Sequence, residues 1–417
     1  MTTTIYVQNN TLRTLQFRTE QSGAPLAAER WKSLTHEVKP GAHASFLELE
    51  RDKGITNGED FFFTTTVNSG AETLALGQKL HGNLIGSNIW HSVAEEPWRD
   101  DRSTHCATWQ VDGKSIEVKH RAYFTGGDDD IEYVFREDYD IPRSERTNLN
   151  VLAYNLYMRS STLFMNGQEI RSKLLPGVLG GYDVLVFSEA FDNDVRKVLL
   201  DGLRPEYPYQ TKVVDSASII PPSNGGVIIV SRWPITREEQ RAFGSVSAGS
   251  DALAAKGVLY ARIDKDGKPY HVFGTHTQAW STPEGAGVRA RQFVLIREFI
   301  REMNIPADEP VLIAGDLNVD LMNFPDEYRR MLELLNASQP PIVGYDASFD
   351  PSVNRLAAGE TRERLDYVLY ANDHQQPRAS YNQVRMIRSR EEWKQFATEK
   401  AYWDLSDHFA LFGRLEF

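Results

Sequence analysis

An acid and an amide stand almost side by side where a buried strand must run out into solvent: Val311-Leu312-Ile313-Ala314 leads directly into Gly315-Asp316-Leu317-Asn318. Such a pairing suits a hydrated cation and a phosphate. The same design recurs along the chain. Asn155 follows Val151-Leu152-Ala153-Tyr154, Glu189 follows Val184-Leu185-Val186-Phe187-Ser188, and His276 follows Tyr270-His271-Val272-Phe273-Gly274-Thr275. Asp407-His408 stands ahead of Phe409-Ala410-Leu411-Phe412. Core strands carry groups that bind metals or move protons only where those groups are used, because burying an unpaired polar group is costly. Five apolar runs that each meet such a residue point to phosphoester chemistry.

Up to about Phe135 the pattern is that of strands. Thr14-Leu15-Gln16-Phe17 and Ile116-Glu117-Val118 alternate apolar and polar residues, and Phe61-Phe62-Phe63-Thr64-Thr65-Thr66-Val67 is aromatic and β-branched. Asp112-Gly113, between Trp109-Gln110-Val111 and Lys114-Ser115-Ile116, suits the positive φ angles of a tight hairpin turn. An all-β sandwich domain over residues 1–140 is expected. The charged, proline-containing stretch Glu137 to Arg146 marks the boundary, and a second domain is expected over residues 148–417. There strands alternate with helical segments, giving an α/β domain. Phe293, Ile296, Phe299, Ile300 and Met303 recur at helical spacing before the Val311 run. Val195, Val198 and Leu199 do so after Glu189, with Asp192 or Asp194 as N-cap and Gly202 as stop.

Composition narrows the function. A net charge of −12 opposes broad binding to nucleic acid, which relies on clustered Lys and Arg. Cys106 is the only cysteine, so no intrachain disulfide can form. No apolar run approaches the roughly 20 residues that span a bilayer. The stretch Met1 to Val7 has neither a basic nor an apolar signal region, so no export signal is expected in this chain.

Taken in order, Asn155, Glu189, His276, Gly315-Asp316-Leu317-Asn318, Leu365-Asp366-Tyr367 and Ser406-Asp407-His408 resemble the endonuclease/exonuclease/phosphatase superfamily. Asn224-Gly225-Gly226-Val227, Lys256-Gly257-Val258 and Gly274-Thr275-His276-Thr277-Gln278-Ala279 resemble its bacterial sphingomyelinase C branch. The resemblance implies a DNase I-like, four-layer α/β sandwich of two mostly antiparallel sheets with helices outside. It also implies Mg²⁺-dependent hydrolysis of sphingomyelin or a related choline phospholipid at a peripheral membrane surface, by a secreted enzyme. Mn²⁺ or Co²⁺ would be substitutes. A nuclease or phosphomonoesterase using the same site, and a non-enzymatic membrane-binding protein, are the competing readings.

Roles follow from that resemblance. Glu189 is expected as the principal Mg²⁺ ligand with Asn155 beside it, and Asp407 reaches the metal through water. His408 is the expected general base, held by Asp366. Asp316 aligns the attacking water, the Asn318 amide contacts a phosphate oxygen, and His276 donates to a phosphoryl or leaving oxygen. Asp316, Asn318 and His408 are also the ligand set of a second metal, so ligand and base compete as roles for His408. Lys256 is expected either to stabilise phosphoryl charge or to be a solvated loop lysine, and Asn224 either to aim an amide at phosphate or to accompany a tight turn. Tyr157, Trp280 and Tyr402-Trp403 are aromatic candidates for the choline ammonium, and Trp403, in a polar setting, for lipid contact. The β domain is a candidate for membrane attachment through Trp90, Trp98 or neighbouring loops. The triple acid Asp128-Asp129-Asp130 reads as a solvated turn rather than a calcium site.

Overall fold

Burial alternates with period two in the first part of the chain and is continuous in the second, and that difference separates two architectures. A computed structural model describes residues 2–124, 129–159, 166–215, 224–396 and 401–417. The chain divides into the units Met1–Asp140 and Ile141–Phe417.

In the first unit, every second residue of the strands Asp60–Ser69 and Glu72–Gly82 is buried. A five-stranded sheet containing them faces a six-stranded sheet, with Phe17 of the former stacked on Phe46 of the latter at 5.1 Å. This is a β-sandwich. Asp112 and Gly113 have φ of 48° and 75° and turn His105–Val111 into Lys114–Phe124, the hairpin expected from that dipeptide. A feature with no sequence signature is the parallel pairing of Thr2–Asn10 with Asp129–Arg136. Asp129 and Asp130 open that second strand, and Asp130 is buried, accepting the Thr4 N–H at 2.7 Å; Asp128 lies outside the described residues.

The second unit has two sheets face to face, one of seven strands and one of six. Alternate residues of each meet in the middle: Val151, Ala153 and Val186 from one, Leu259, Val272, Leu312 and Ala314 from the other. The intervening residues point outward and are covered as well. Leu152, Tyr154, Leu185 and Phe187 pack with Val195 and Leu199 of the helix Asn193–Leu203. Phe273, Ile313 and Leu369 pack with Phe293, Ile296 and Ile300 of the helix Pro283–Glu302 and with Met331 of the helix Pro325–Leu335. Helix, sheet, sheet, helix: this is the four-layer α/β sandwich the resemblance implied. Asp192 caps its helix, accepting from the N–H groups of Asp194 and Val195. Two local expectations fail there. Gly202 lies inside the last turn rather than beyond it, where a Cβ would meet Pro176, and Val198 faces solvent.

Topology places the site. Asn148–Met158 runs parallel to Val184–Ala190, and Lys268–His276 runs parallel to Val311–Asp316, so each pair ends at one edge of its sheet. Asp366–Ala371 and Ala410–Glu416 are antiparallel neighbours, and they begin where those strands end.

Candidate metal and phosphate site

His276 is the register partner of Asp316, and Asp316 is the register partner of Asp366, so three adjacent strands carry three functional side chains in a row. The other sheet brings Asn155, Glu189 and the Ser406-Asp407-His408 segment. Asn155 joins the groups: its amide Nδ2 donates to Asp316 Oδ2 at 2.9 Å and to Glu189 Oε1 at 3.3 Å. Its Oδ1 accepts the Tyr157 N–H at 3.0 Å. In this arrangement Asn155 stands beside Glu189, as expected from sequence, and its amide donors clamp two carboxylates. Glu189 Oε2 also accepts from Arg159 Nε at 3.3 Å.

Backbone strain concentrates here. Tyr157, Glu189, Trp280 and Asn318 have φ of 51°, 53°, 75° and 51°, a region that side chains with a Cβ rarely adopt. Gly315 has φ of 139° and a Cβ there would lie 2.0 Å from the Thr275 carbonyl oxygen. The glycine before Asp316 is thus required by close strand approach.

His408 Nδ1 lies 2.8 Å from Asp366 Oδ2, and its Nε2 lies 3.9 Å from Asp316 Oδ2. An ionised carboxylate only accepts, so Nδ1 carries the proton and Nε2 faces Asp316. Burial works against the His408 imidazolium, but Asp366, Asp316 and Asp407 outweigh it and hold the group well above its ordinary range. Burial together with Asp366 pushes Asp316 up to about 7. Burial pushes Asp407 up to about 6, with Glu189 adding to the effect against the pull of His408.

Asp316 and Asp366 are buried side by side, with the His408 ring as the cationic group shared between them. Asp366 Oδ1 is buried and has no hydrogen-bond partner among the described residues. Asp316, Asp366 and His408 each bring one ligand atom to within 4.8 Å of the others. Hard carboxylate oxygens in this state fit a divalent cation such as Mg²⁺, which would relieve their repulsion and lower the basicity that keeps His408 protonated. Glu189 stands outside that trio and is linked to it through Asn155. Asp366, expected only to hold His408, therefore also belongs to the oxygen-rich cluster.

Lys256 is not the solvated loop lysine weighed from sequence. It is buried, and its Nζ donates to Asp251 Oδ2 at 2.7 Å, the Thr277 carbonyl at 2.8 Å and His276 Nε2 at 3.2 Å. An ammonium cannot accept, so the neutral ring of His276 holds its proton on Nδ1, and Nδ1 has no partner among the described residues. Burial first, then Lys256 and His408, hold His276 well below its ordinary range. It is a neutral donor in waiting. Asn318 has one amide bond to the Thr277 carbonyl, at 3.1 Å.

The remaining candidates divide. Asn224 uses Nδ2 on the Phe191 carbonyl at 2.9 Å and on Asn193, while its Oδ1 takes the Gly226 N–H, so it builds the loop beside the Glu189 strand. Tyr157 is half-buried under the Arg159 guanidinium. Trp280 is 66% exposed on the loop after His276. Trp403 is only 6% exposed because its strand pairs with Arg388–Trp393, so its polar neighbours in sequence did not signal a solvent-facing ring. Tyr402 is stacked on Trp393 at 4.9 Å.

Sequence reasoning missed the supports. Arg171, fully buried, donates to the carbonyls of Leu156, Tyr157 and Leu405, tying the strand end after Asn155 to the segment before Asp407-His408. Ser406 Oγ donates to the Asn155 carbonyl at 2.6 Å. Nothing in the helix Gln168–Leu174 distinguishes Arg171 from a surface arginine, whereas Ser406 sat in a motif already noted.

Residues 152–408 match the Endonuclease/Exonuclease/phosphatase family. The chain belongs to that family. Within it, the chain is 37% identical over 314 residues to Sphingomyelinase C 2 of Leptospira interrogans, an alignment covering 67% of this chain and 49% of that protein. It is 36% identical over 301 residues to Sphingomyelinase C of Bacillus cereus, covering 65% of this chain and 90% of the relative. A beta toxin variant from Staphylococcus aureus, solved with bound magnesium ions, superposes with a TM-score of 0.61 at 34% identity, covering 65% of this chain and all of the toxin. The chain spans about half the length of the Leptospira relative.

Proposed function

We propose that this family member is a Mg²⁺-dependent phosphodiesterase of the phospholipase C type that hydrolyses sphingomyelin to ceramide and phosphocholine outside the cell, at a membrane surface. The observation that carries the reading is the pair formed by His408, oriented by Asp366, and His276, held neutral by burial and by Lys256, with their Nε2 atoms 3.9 and 3.6 Å from Asp316 Oδ2. One histidine is arranged to accept a proton and the other to donate a hydrogen bond. Names borne by the relatives in Leptospira and Bacillus support the substrate class.

Glu189 and the carboxylates of Asp316 and Asp366 would hold Mg²⁺, which would supply positive charge against the phosphoryl oxygens, while His408 stays outside the ligand set with Nε2 free. The protein's own groups do the rest. His408 Nε2 takes a proton from water as the water oxygen bonds to phosphorus, and Asp366 stabilises the resulting imidazolium without taking its proton. Asp316 orients that water. The bond from phosphorus to the ceramide oxygen breaks, the leaving oxygen takes its proton from solvent, and the neutral His276 Nδ1–H donates a hydrogen bond to the charge that develops there. Selectivity for a choline lipid over DNA follows from charge, since a chain of net charge −12 repels a polyanion but not a zwitterion. Trp280 offers an exposed aromatic face to the ammonium.

The test is a product assay on sphingomyelin, phosphatidylcholine and plasmid DNA, with and without Mg²⁺. Phosphocholine release from sphingomyelin that requires Mg²⁺ is expected. DNA nicking without phosphocholine release overturns the substrate.

A further inference from the structure

In the first unit, the strands Glu72–Gly82 and Ser87–Val93 are joined by Asn83-Leu84-Ile85-Gly86, closed by the Asn83 N–H on the Gly86 carbonyl at 2.9 Å. Leu84 and Ile85 occupy the two central positions, and each is 90% exposed. Hairpin turns of this length favour Asn, Gly or Asp there, so two aliphatic residues gain nothing for the turn and expose apolar surface to water. The tip is held in place. Gly82 donates to the Glu59 carbonyl and accepts from the Gly58 N–H, both at 2.9 Å.

A third apolar group lies at the same end of the sandwich. Ser87 exchanges hydrogen bonds with Arg51, Arg51 reaches Thr3, Thr3 Oγ1 donates to the Asp129 carbonyl, and Asp129 is the register partner of Phe124. Phe124 is 58% exposed. By contrast, Trp90 and Trp98, weighed from sequence as membrane anchors, are half-buried and flank the Lys79 ammonium at 4.6 and 5.6 Å.

The geometry points to this end of the β-sandwich, led by Leu84 and Ile85, as a docking face that inserts into a zwitterionic lipid surface. Shape favours a bilayer. Two side chains that project from a convex turn need a soft medium that closes around them, whereas a protein partner would need a matching pocket. Charge agrees, because two cationic groups described near this end are each paired with an acid, His81 with Asp60 at 2.7 Å and Arg102 with Asp129 at 2.8 Å, which favours a zwitterionic over an anionic surface. The face deepens the lipid reading by naming where the chain holds its substrate surface, and it rests on that reading only for its purpose. Tethering to the surface raises the effective concentration of lipid at the second unit without new contacts at the site.

The test measures flotation of the full chain with sphingomyelin and phosphatidylcholine vesicles in chelator, so that turnover does not alter them. Leu84→Ser/Ile85→Ser should weaken binding on the order of 30-fold, as loss of two partitioning aliphatic side chains implies. Hydrolysis of micellar short-chain substrate in Mg²⁺ should be unchanged. In a Leu84→Trp variant, brominated lipids should quench the added fluorescence. Equal vesicle binding by wild type and the double variant, or no quenching, overturns the docking face. So does a change from dimer to monomer in the double variant without lipid, which would assign the tip to a second copy. Binding that depends on Leu84 and Ile85 in a chain that hydrolyses no phospholipid would keep the face and sink the lipid-hydrolase reading.

Discussion

Asp366 and His408 lie 42 residues apart in the chain and are joined at 2.8 Å, carboxylate to Nδ1, one at the start of the strand Asp366–Ala371 and the other just ahead of the strand Ala410–Glu416 of the other sheet. The pairing fixes which imidazole nitrogen is left to accept a proton. His408→Ala should lower turnover by about 10³-fold or more, and Asp366→Asn by on the order of 10³- to 10⁴-fold, because the amide favours the wrong tautomer. Steady-state kinetics with circular dichroism as a folding control check both. Near wild-type turnover of His408→Ala would remove the general base.

Glu189 meets Asn155 and Arg159 at the end of its strand. Chelation should abolish turnover and Mg²⁺ should restore it. Glu189→Gln should raise the Mg²⁺ concentration needed for half-maximal activity at least about tenfold, as loss of one charged ligand does. Isothermal titration with Mg²⁺ reads the same loss without turnover, and unchanged affinity would exclude Glu189 as a ligand.

Lys256 holds Asp251, Thr277 and His276 together from a buried position. Lys256→Met leaves Asp251 without its cation, and the unfolding free energy should drop by about 3 kcal/mol. Activity should fall as well, since His276 loses the contact that sets its tautomer. Lys256→Arg should restore little, because a planar fork does not reproduce three divergent donors. Denaturant melts and kinetics on the two variants decide.

Gly315→Ala places a Cβ 2.0 Å from the Thr275 carbonyl oxygen at a φ of 139°. Destabilisation of about 3 kcal/mol or more is expected, together with loss of activity through displacement of Asp316. A thermal melt within a degree of wild type would contradict the close approach.

In the β-sandwich, His91 and His120 share a 2.7 Å contact between their Nδ1 atoms in the core. Burial lowers His91 to about 4 and, with His91 and His105 adding their repulsion, lowers His120 to about 3. Both are neutral when folded, so below pH 6.5 the unfolded chain binds more protons than the folded one. Stability should be fully present above about pH 6.5 and fall as pH drops toward 4, by on the order of 3 kcal/mol. Melting curves of His91→Gln/His120→Gln should show a flatter dependence over that window.

Much of the second unit was legible because its strands are buried on both faces and read as continuous apolar runs, with candidate residues standing where a run ends or begins. Asn155, Glu189, His276, Asp316 and His408 stood out that way, and Asp366 through the family resemblance. The supports were not. Arg171 acts on carbonyls from distant segments, and Lys256 on partners that the sequence spaces apart, so neither leaves a local pattern.

The sequence by itself determined the strand periods, the Asp112-Gly113 turn, the Asp192 cap and the residue types available to hold metal and move protons, because these depend on neighbours within a few positions. Tertiary structure decided how they are used. Parallel pairing brought Asn155 and Glu189 to one sheet edge, strand register set His276, Asp316 and Asp366 in a row, and packing buried Trp403 while leaving Leu84 and Ile85 in water. Register, burial and desolvation arise from contacts between segments far apart in the chain, and no local window contains both partners of such a contact.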